Sequence, residues 1–539
     1  MTVRHGRRVL SLRPGRARAP RPGLAGAVLA LCAVASAATA CTATGPAARK
    51  DPTYLAARTR PPASASSVLA GPASVLAAGV AAQLFAAAPV IVVATASDPA
   101  GLPAAAGRAE RAHAPLLLAS PAVGAHPGSG VVQPGSASAQ AADGAVQTEI
   151  RALRPRTVLA VGMPPAALSA QLSGIRGVRV ITNPARLPAT RAPAPLRHVV
   201  LLVPQGSPGA VSLAVAATAQ VAGARVVAVQ GYDPRADPGA ITALAAARPR
   251  QVLAVGGGFG PPGLLAARVA VAATGVQLPG GSQIVVPERR LVALYGDPGT
   301  PSLGALGQQG LTASIARVRK LAALYRPLSR VPVVPAFEII ATVAQGSPGP
   351  NGTYSYANPV KFLRPWIRRA SHAGLYVVLD LQPGRASLLA QAKQYQAFLQ
   401  RPNVGLALDP EWALAPGQRP LKQIGSVSVA EVNSVISWLA ALTARYHLPQ
   451  KLLVLHQFRL SMLQGEQRLN TRHDDLAIVI HMDGQGTPGD KQQTWDAVTG
   501  AAPAGVFFGW KNFLVKDHPV LTPQETMAHL PQPVMISYQ

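Results

Sequence analysis

From residue 286 onward the chain carries a ladder of short apolar runs, at 291–295, 331–337, 375–379, 404–408, 452–455, 476–480, 506–508 and 534–537. Nearly every run ends in a polar or ionisable cluster, such as Asp380-Leu381-Gln382, Asp409-Pro410-Glu411-Trp412 or His481-Met482-Asp483. Unbroken apolar runs suit strands buried on both faces. The spacers 304–325, 358–372, 386–400 and 429–446 place apolar residues every three or four positions among good helix formers, and so predict helices. Ser428 stands three residues before Glu431, which predicts a capping box at the start of the fourth helix. The passage from the sixth run to the seventh is a weak spacer, and so is the last, where Pro519, Pro523, Pro531 and Pro533 limit helix length. Eight strand–helix units predict a (β/α)8, TIM-like barrel over 286–539. In that fold chemistry sits at the strand C-termini.

The N-terminal half has a different rhythm. Arg154-Pro155-Arg156-Thr157-Val158-Leu159-Ala160-Val161-Gly162 returns as Arg248-Pro249-Arg250-Gln251-Val252-Leu253-Ala254-Val255-Gly256, with one internal mismatch. Upstream, 90–94 followed by Ser97-Asp98-Pro99 parallels 198–203 followed by Gly206-Ser207-Pro208, and the apolar run 114–118 parallels 224–228. The pattern predicts two tandem parallel α/β units, at 76–187 and 188–285. Gly256-Gly257-Gly258-Phe259-Gly260 lies between a strand and a helix, but Pro261 stands where a dinucleotide fingerprint needs glycine, so a tight turn is expected. The order strand, Asp-Pro turn, Ala-rich helix, "APLLL", helix and "RPRTVLAVG" resembles the type 2 cell wall-binding repeats of exported Gram-positive proteins. The resemblance covers 76–285 and implies a cell-wall polysaccharide or peptidoglycan as partner.

Residues 1–22 carry seven arginines and no acid, and 24–40 is an apolar run ending in small residues. That is the layout of a secretory signal, too short for a spanning helix. Ala38-Thr39-Ala40-Cys41 resembles a bacterial lipobox, which implies that 1–41 is a signal peptide and that Cys41 carries the lipid holding the mature protein on the outer face of the cell membrane. Residues 42–75 are rich in Ala, Pro, Ser, Thr and Arg and read as a flexible linker, and 121–144 reads as an exposed loop. The only cysteines are Cys32 and Cys41, so the mature chain is expected to hold no thiolate site and no disulfide. Removing the seven leader arginines lowers the net charge from +28 to +21. The remaining charge favours a membrane surface or acidic wall polymers. No block of Lys and Arg interleaved with aromatics marks a nucleic-acid face.

The acids are more telling than the bases. Seven of the 22 precede residue 280 and 15 follow it, which confines acid–base chemistry to the barrel. Asp409 and Glu411, two positions apart at a strand end, project the same way, and their mutual repulsion raises the pKa of one and makes it a proton donor. An Asp-x-Glu at the fourth strand resembles chitinase-type hydrolases and barrel-type muramidases. The resemblance implies Glu411 as proton donor and Asp409 as the residue orienting it or the substrate. Asp380 and Asp483 complete the candidate catalytic set. Asp297, Glu338, Tyr295, Trp412, His456, His481, Trp510 and Tyr538 are candidate substrate contacts, the aromatics as faces for sugar stacking. Lys511, and no acid, follows the seventh run, so the second catalytic role falls to Asp380, Asp483, Glu338 or the substrate itself. The histidines and acids of this rim also suit a divalent ion, but there is no His-x-His at the first strand and no HExxH, and neither metal nor cofactor is expected. Two readings stay open: an exported glycosidase acting on wall glycan, and a non-catalytic envelope protein whose barrel keeps a sugar-binding mouth.

Overall fold

The computed structural model describes residues 54–119 and 137–539. The leader, Cys41, the first part of the expected linker and most of the expected loop at 121–144 lie outside the described residues. The eight apolar runs form eight strands, numbered here along the barrel: β1 (Arg290–Gly296), β2 (Val333–Ala344), β3 (Tyr376–Leu381), β4 (Val404–Leu408), β5 (Lys451–Gln457), β6 (Leu476–Met482), β7 (Phe507–Asn512) and β8 (Met535–Tyr538). Each pairs in parallel with the next, and β8 pairs with β1, closing the barrel.

Helices Leu311–Tyr325, Val360–His372, Leu388–Gln394 with Gln396–Leu399, and Val429–Arg445 fill the spacers where the periodicity predicts them. Of the two weak spacers expected, the last holds only the six-residue helix Pro523–Ala528, as its prolines imply, while the other expectation fails. Between β6 and β7 lies a full helix, Pro488–Ala501, started by a Thr487–Asp490 capping box with proline in its first turn, where the missing N–H costs nothing. Between β5 and β6 there is no α-helix, only the 3₁₀ turns Leu460–Met462 and Glu466–Arg468 with the two-residue strand Leu463–Gln464 and the left-handed Gly465 between them. The predicted capping box at Ser428 is half formed. Ser428 accepts from the Glu431 N–H, but Glu431 turns away and accepts from the Leu388 N–H at 3.0 Å, tying two neighbouring helices together.

Inside the barrel, alternate positions of each strand meet at the axis. Leu291, Ala293, Val334, Ala336, Tyr376, Val378, Leu452, Val454 and Val479 form one apolar cluster, closed from below by Leu278, Val285 and Val286. The chain entering β1 thus plugs the N-terminal end, and the opposite mouth stays open.

The N-terminal half is α/β with two four-stranded parallel sheets. One has the spatial order Leu116–Ala119, Val90–Thr95, Thr157–Val161, Arg179–Ile181; the other has Arg225–Val229, Val199–Pro204, Gln251–Val255, Ser66–Leu69. Side chains from both sheets, among them Ile91, Val93, Leu201 and Leu253, belong to one apolar cluster. The fourth strand of the second sheet comes from a stretch expected to be linker. Its sequence, Ser66-Ser67-Val68-Leu69, is half polar and half-buried, as an edge strand can be, and so carries no apolar run to read. The linker reading also fails for Leu55–Ala56 and Arg58–Thr59, which pair with Thr190–Arg191 and Phe85–Ala87. The loop reading fails at its end, where the helix Ala137–Leu153 has begun. Among the described residues no helix is long and apolar enough to cross a membrane.

The two halves join at the plugged end of the barrel. Asp474, just before β6, accepts from Arg235 and Arg268, each at 2.7 Å, and the Gln450 N–H donates to the Gln283 carbonyl at 2.9 Å. Burial opposes ionisation of Asp474, but the two guanidinium groups outweigh it and hold its pKa below the ordinary aspartate value. Asp474→Asn should therefore lower the unfolding free energy by about 1–3 kcal/mol at neutral pH. Because the folded-state pKa is depressed, this contribution is present above the unfolded value and disappears as pH falls through the folded one. Urea titrations of wild type and variant should differ at pH 7, and the difference should shrink as pH is taken progressively below the ordinary aspartate value; equal midpoints at pH 7 would refute the role of the seam.

Candidate active site

Above the apolar layers the barrel interior changes character. The next inward position on every strand is polar: Tyr295, Glu338, Asp380, Asp409, His456, His481, Lys511 and Ser537, each almost fully buried. His456, on β5, is the hub. Its Nε2 lies 3.0 Å from Glu338 Oε1 and 3.9 Å from Asp380 Oδ1, and its Nδ1 lies 3.1 Å from Asp483 Oδ2. The Tyr295 hydroxyl donates to Asp380 Oδ2 at 2.8 Å, and the Lys511 ammonium sits 3.6 Å above the Tyr295 ring and 3.9 Å from Asp483 Oδ2. His481 Nε2 is bonded to Ser537 Oγ at 2.7 Å. The room for the His481 ring comes from Gly509 on β7, where an added Cβ would fall 2.1 Å from His481 Nδ1.

Protonation follows from these contacts. Burial alone disfavours the charged imidazolium of His456, but Glu338 and Asp483 outweigh it and raise its pKa well above the usual value. Asp483 shows the reciprocal effect: burial favours its neutral form, yet the His456 hydrogen bond and the His456 and Lys511 charges hold its pKa down. The other acids lack such support. Burial pushes Asp380 up to about 6, and burial with the Asp483 charge pushes Glu411 up to about 7. Asp409 is raised well above the aspartate range by burial and by its neighbours Glu411 and Asp380. His481 is driven the other way, its pKa depressed by burial and by His456.

A cavity of about 300 Å³ opens over this ring, lined by Tyr295, Gln382, Glu411, Trp412, Phe458, Asp483, Lys511 and Phe513 among others. Asp409 is the residue after β4, and Glu411 rides on the 3₁₀ turn Pro410–Trp412 that follows it. The turn is pinned by the Gly425 N–H, which donates to the Glu411 carbonyl at 2.7 Å; a side chain at 425 would collide with the Ala413 oxygen. One oxygen from each of Asp409, Glu411 and Asp483 lies within 4.8 Å of the others. That spacing has the dimensions of a cation site, although Asp483 is already matched by His456 and Lys511. Asp483 Oδ1 and Asp409 Oδ1 have no hydrogen-bond partner among the described residues.

The sequence-predicted residues thus divide into three groups. Glu411, Asp483, Tyr295 and Trp412 line the cavity. Glu338, Asp380, Asp409, His456 and His481 form its buried floor and act on it through other side chains. Asp297, Trp510 and Tyr538 are elsewhere. Asp297 accepts from the Gly299 N–H at 2.6 Å and the Asn358 amide at 2.7 Å, bracing the loop after β1. Trp510 faces outward, stacked on His529 with ring centroids 3.8 Å apart, and the Tyr538 hydroxyl bonds to that of Tyr325 at 2.6 Å in the layer between strands and helices. The sequence offers both as sugar-stacking faces; strand parity turns them away and brings Lys511 and Ser537 inward instead. Gln382, Phe458 and Phe513 were missed. Parity would have found Gln382, two positions beyond Asp380 on the same face. The chain matches no family model, no curated protein and no solved structure, so the resemblances read in its sequence rest on its own residues.

Proposed function

We propose that the barrel is a retaining glycoside hydrolase acting on a cell-wall polysaccharide or on the glycan of peptidoglycan. The observation that carries this is the opposite protonation of two carboxyl groups in one cavity, Glu411 neutral up to about pH 7 and Asp483 ionised. Pairs of acids whose surroundings push their pKa values apart supply an acid and a base. Their approach, within 4.8 Å by one oxygen each, is nearer the carboxyl separation of retaining glycosidases than the wider gap of inverting ones, and so favours direct attack. Glu411 gives its proton to the glycosidic oxygen, and the Asp483 carboxylate, which lines the same cavity, forms an ester to the anomeric carbon as the leaving sugar departs as an alcohol. The Glu411 carboxylate then takes a proton from water, whose oxygen attacks the anomeric carbon and releases Asp483. His456 orients Asp483 through its second oxygen and keeps it charged.

In this reading the chain is an exported lipoprotein, attached through Cys41, and the N-terminal α/β half holds it to wall polymer. The first three strands of each sheet share one order, and the nine-residue string spans the third strand of each, while the fourth strands come from different parts of the chain; the shared three-strand core supports a duplicated wall-binding unit. Purified protein incubated with wall glycans should release reducing ends. The rate should fall as pH rises through about 7, when Glu411 loses the proton it must donate, and should persist on the acid side until Asp483 is protonated, below the ordinary aspartate range. Binding with no turnover on any wall glycan would sink the hydrolase reading and leave a sugar-binding protein.

A further inference from the structure

The cavity over the acid pair does not end at Glu411. A second depression of about 390 Å³ adjoins it, sharing Glu411, Trp412 and Leu421 and otherwise lined by Lys422, Gln423, Ile424 and Arg459. The Glu411 turn therefore stands between two hollows. Leu421 marks the boundary: it is 83% exposed, and its φ of +63° is one that a leucine adopts only at a cost of about 1–3 kcal/mol, so the loop is held there against its preference. The charges are also arranged in order along this line. Lys422 and Arg459 lie beyond Glu411 on one side, and Lys516 lies in the first cavity on the other. Among the described residues none of the three has an ion-pair partner; the nearby Asp517 is taken by Lys491, and Asp483 by His456 and Lys511. A substrate crossing this mouth meets positive charge, the acid pair, then positive charge again.

We propose that the groove takes an anionic glycan that runs through it, with acidic substituents held by Lys422 and Arg459 on one side of the acid pair and by Lys516 on the other. This rests on the glycosidase reading for what happens at Glu411, but not for the binding itself. Neutral hydroxyls would be served by Gln382 and the aromatic walls alone. Unpaired lysine and arginine at both ends select a chain bearing carboxylates or phosphodiesters.

The test uses the full mature protein and soluble oligosaccharides of matched length in three forms: neutral, uronate-containing and phosphodiester-linked. Binding by calorimetry at low salt should favour at least one anionic form over the neutral one by about tenfold or more, and this preference should shrink as salt is raised. Which of the two anionic forms binds tighter identifies the source of the charge. Affinity should also rise from two sugars to six, because both hollows are filled. The double variant Lys422→Gln/Arg459→Gln should reduce the anionic-to-neutral affinity ratio by about tenfold; both side chains are exposed, so a melting curve like that of wild type will show the fold intact. Equal binding of neutral and anionic chains, or a ratio untouched by the double variant, overturns the proposal even if glycans are cleaved. Strong anionic preference without cleavage upholds it and overturns the hydrolase reading instead.

Discussion

Glu411→Gln should lower kcat on wall glycan by about 10²–10⁴-fold while leaving substrate affinity close to that of wild type. Gln fills the same volume and keeps a donor toward the cavity, but its amide cannot give up a proton to a departing sugar. The neighbouring Asp409 is also protonated, yet it lies in the floor below the cavity wall and cannot take over. The alkaline limb of the pH profile should change too. In wild type it reports Glu411, with its pKa raised to about 7, and in the variant that limb should be lost from whatever rate survives. A kcat within a few fold of wild type would assign the proton to another group and remove Glu411 from the mechanism.

His456→Ala should cost about 3–5 kcal/mol of stability. The imidazole is fully buried and satisfies one oxygen each of Glu338 and Asp483. Without it two carboxylates remain in a low-dielectric layer with Lys511 as the only cation among the described ring residues. The pH dependence has a definite sign. The folded-state pKa of His456 is raised, so its contribution is complete below the unfolded value of about 6.5 and fades as pH climbs through the folded one. Wild type should lose stability toward alkaline pH, and the alanine variant should lack that component. Denaturant titrations followed by tryptophan fluorescence at pH 6, 8 and 10 would read both effects; parallel curves for the two proteins across that range would rule out a charged His456.

The barrel was legible because a parallel sheet buried on both faces writes each strand as an unbroken apolar run, and because every run here stops at the same height in a polar residue. The same feature hid the inward positions. In a run apolar throughout, nothing in composition tells inside from outside, so Trp510 and Tyr538 looked as suitable as Lys511 and Ser537. Only counting in twos separates them. Asp297 misled for another reason: its run ends like the others, but the strand continues to Gly296, and one further residue places the carboxylate in the loop, where Gly299 and Asn358 hold it. The helix between β6 and β7 was underrated because its sequence is polar and carries little apolar periodicity; the cap at Thr487 and Asp490 starts it instead. The pairing of Glu411 with Asp483 was visible only as two names on one rim. Their opposite protonation depends on where His456 and Lys511 point, and spacing does not contain that.

The strand Ser66–Leu69 has a consequence for the order in which the molecule can be assembled. Ser66 pairs with Val252 and Leu69 with Val255, so the first long strand of the described chain has its partner only at the far end of the second sheet. As the chain emerges from its N-terminus, the first sheet can pair all four of its strands while this segment is still waiting. It is synthesised before every other strand of both sheets and used after all of them. Until residue 255 exists its backbone groups have no ladder to join, and when the pairing forms it closes a loop around the whole first sheet, a slow, long-range step that locks the two sheets together.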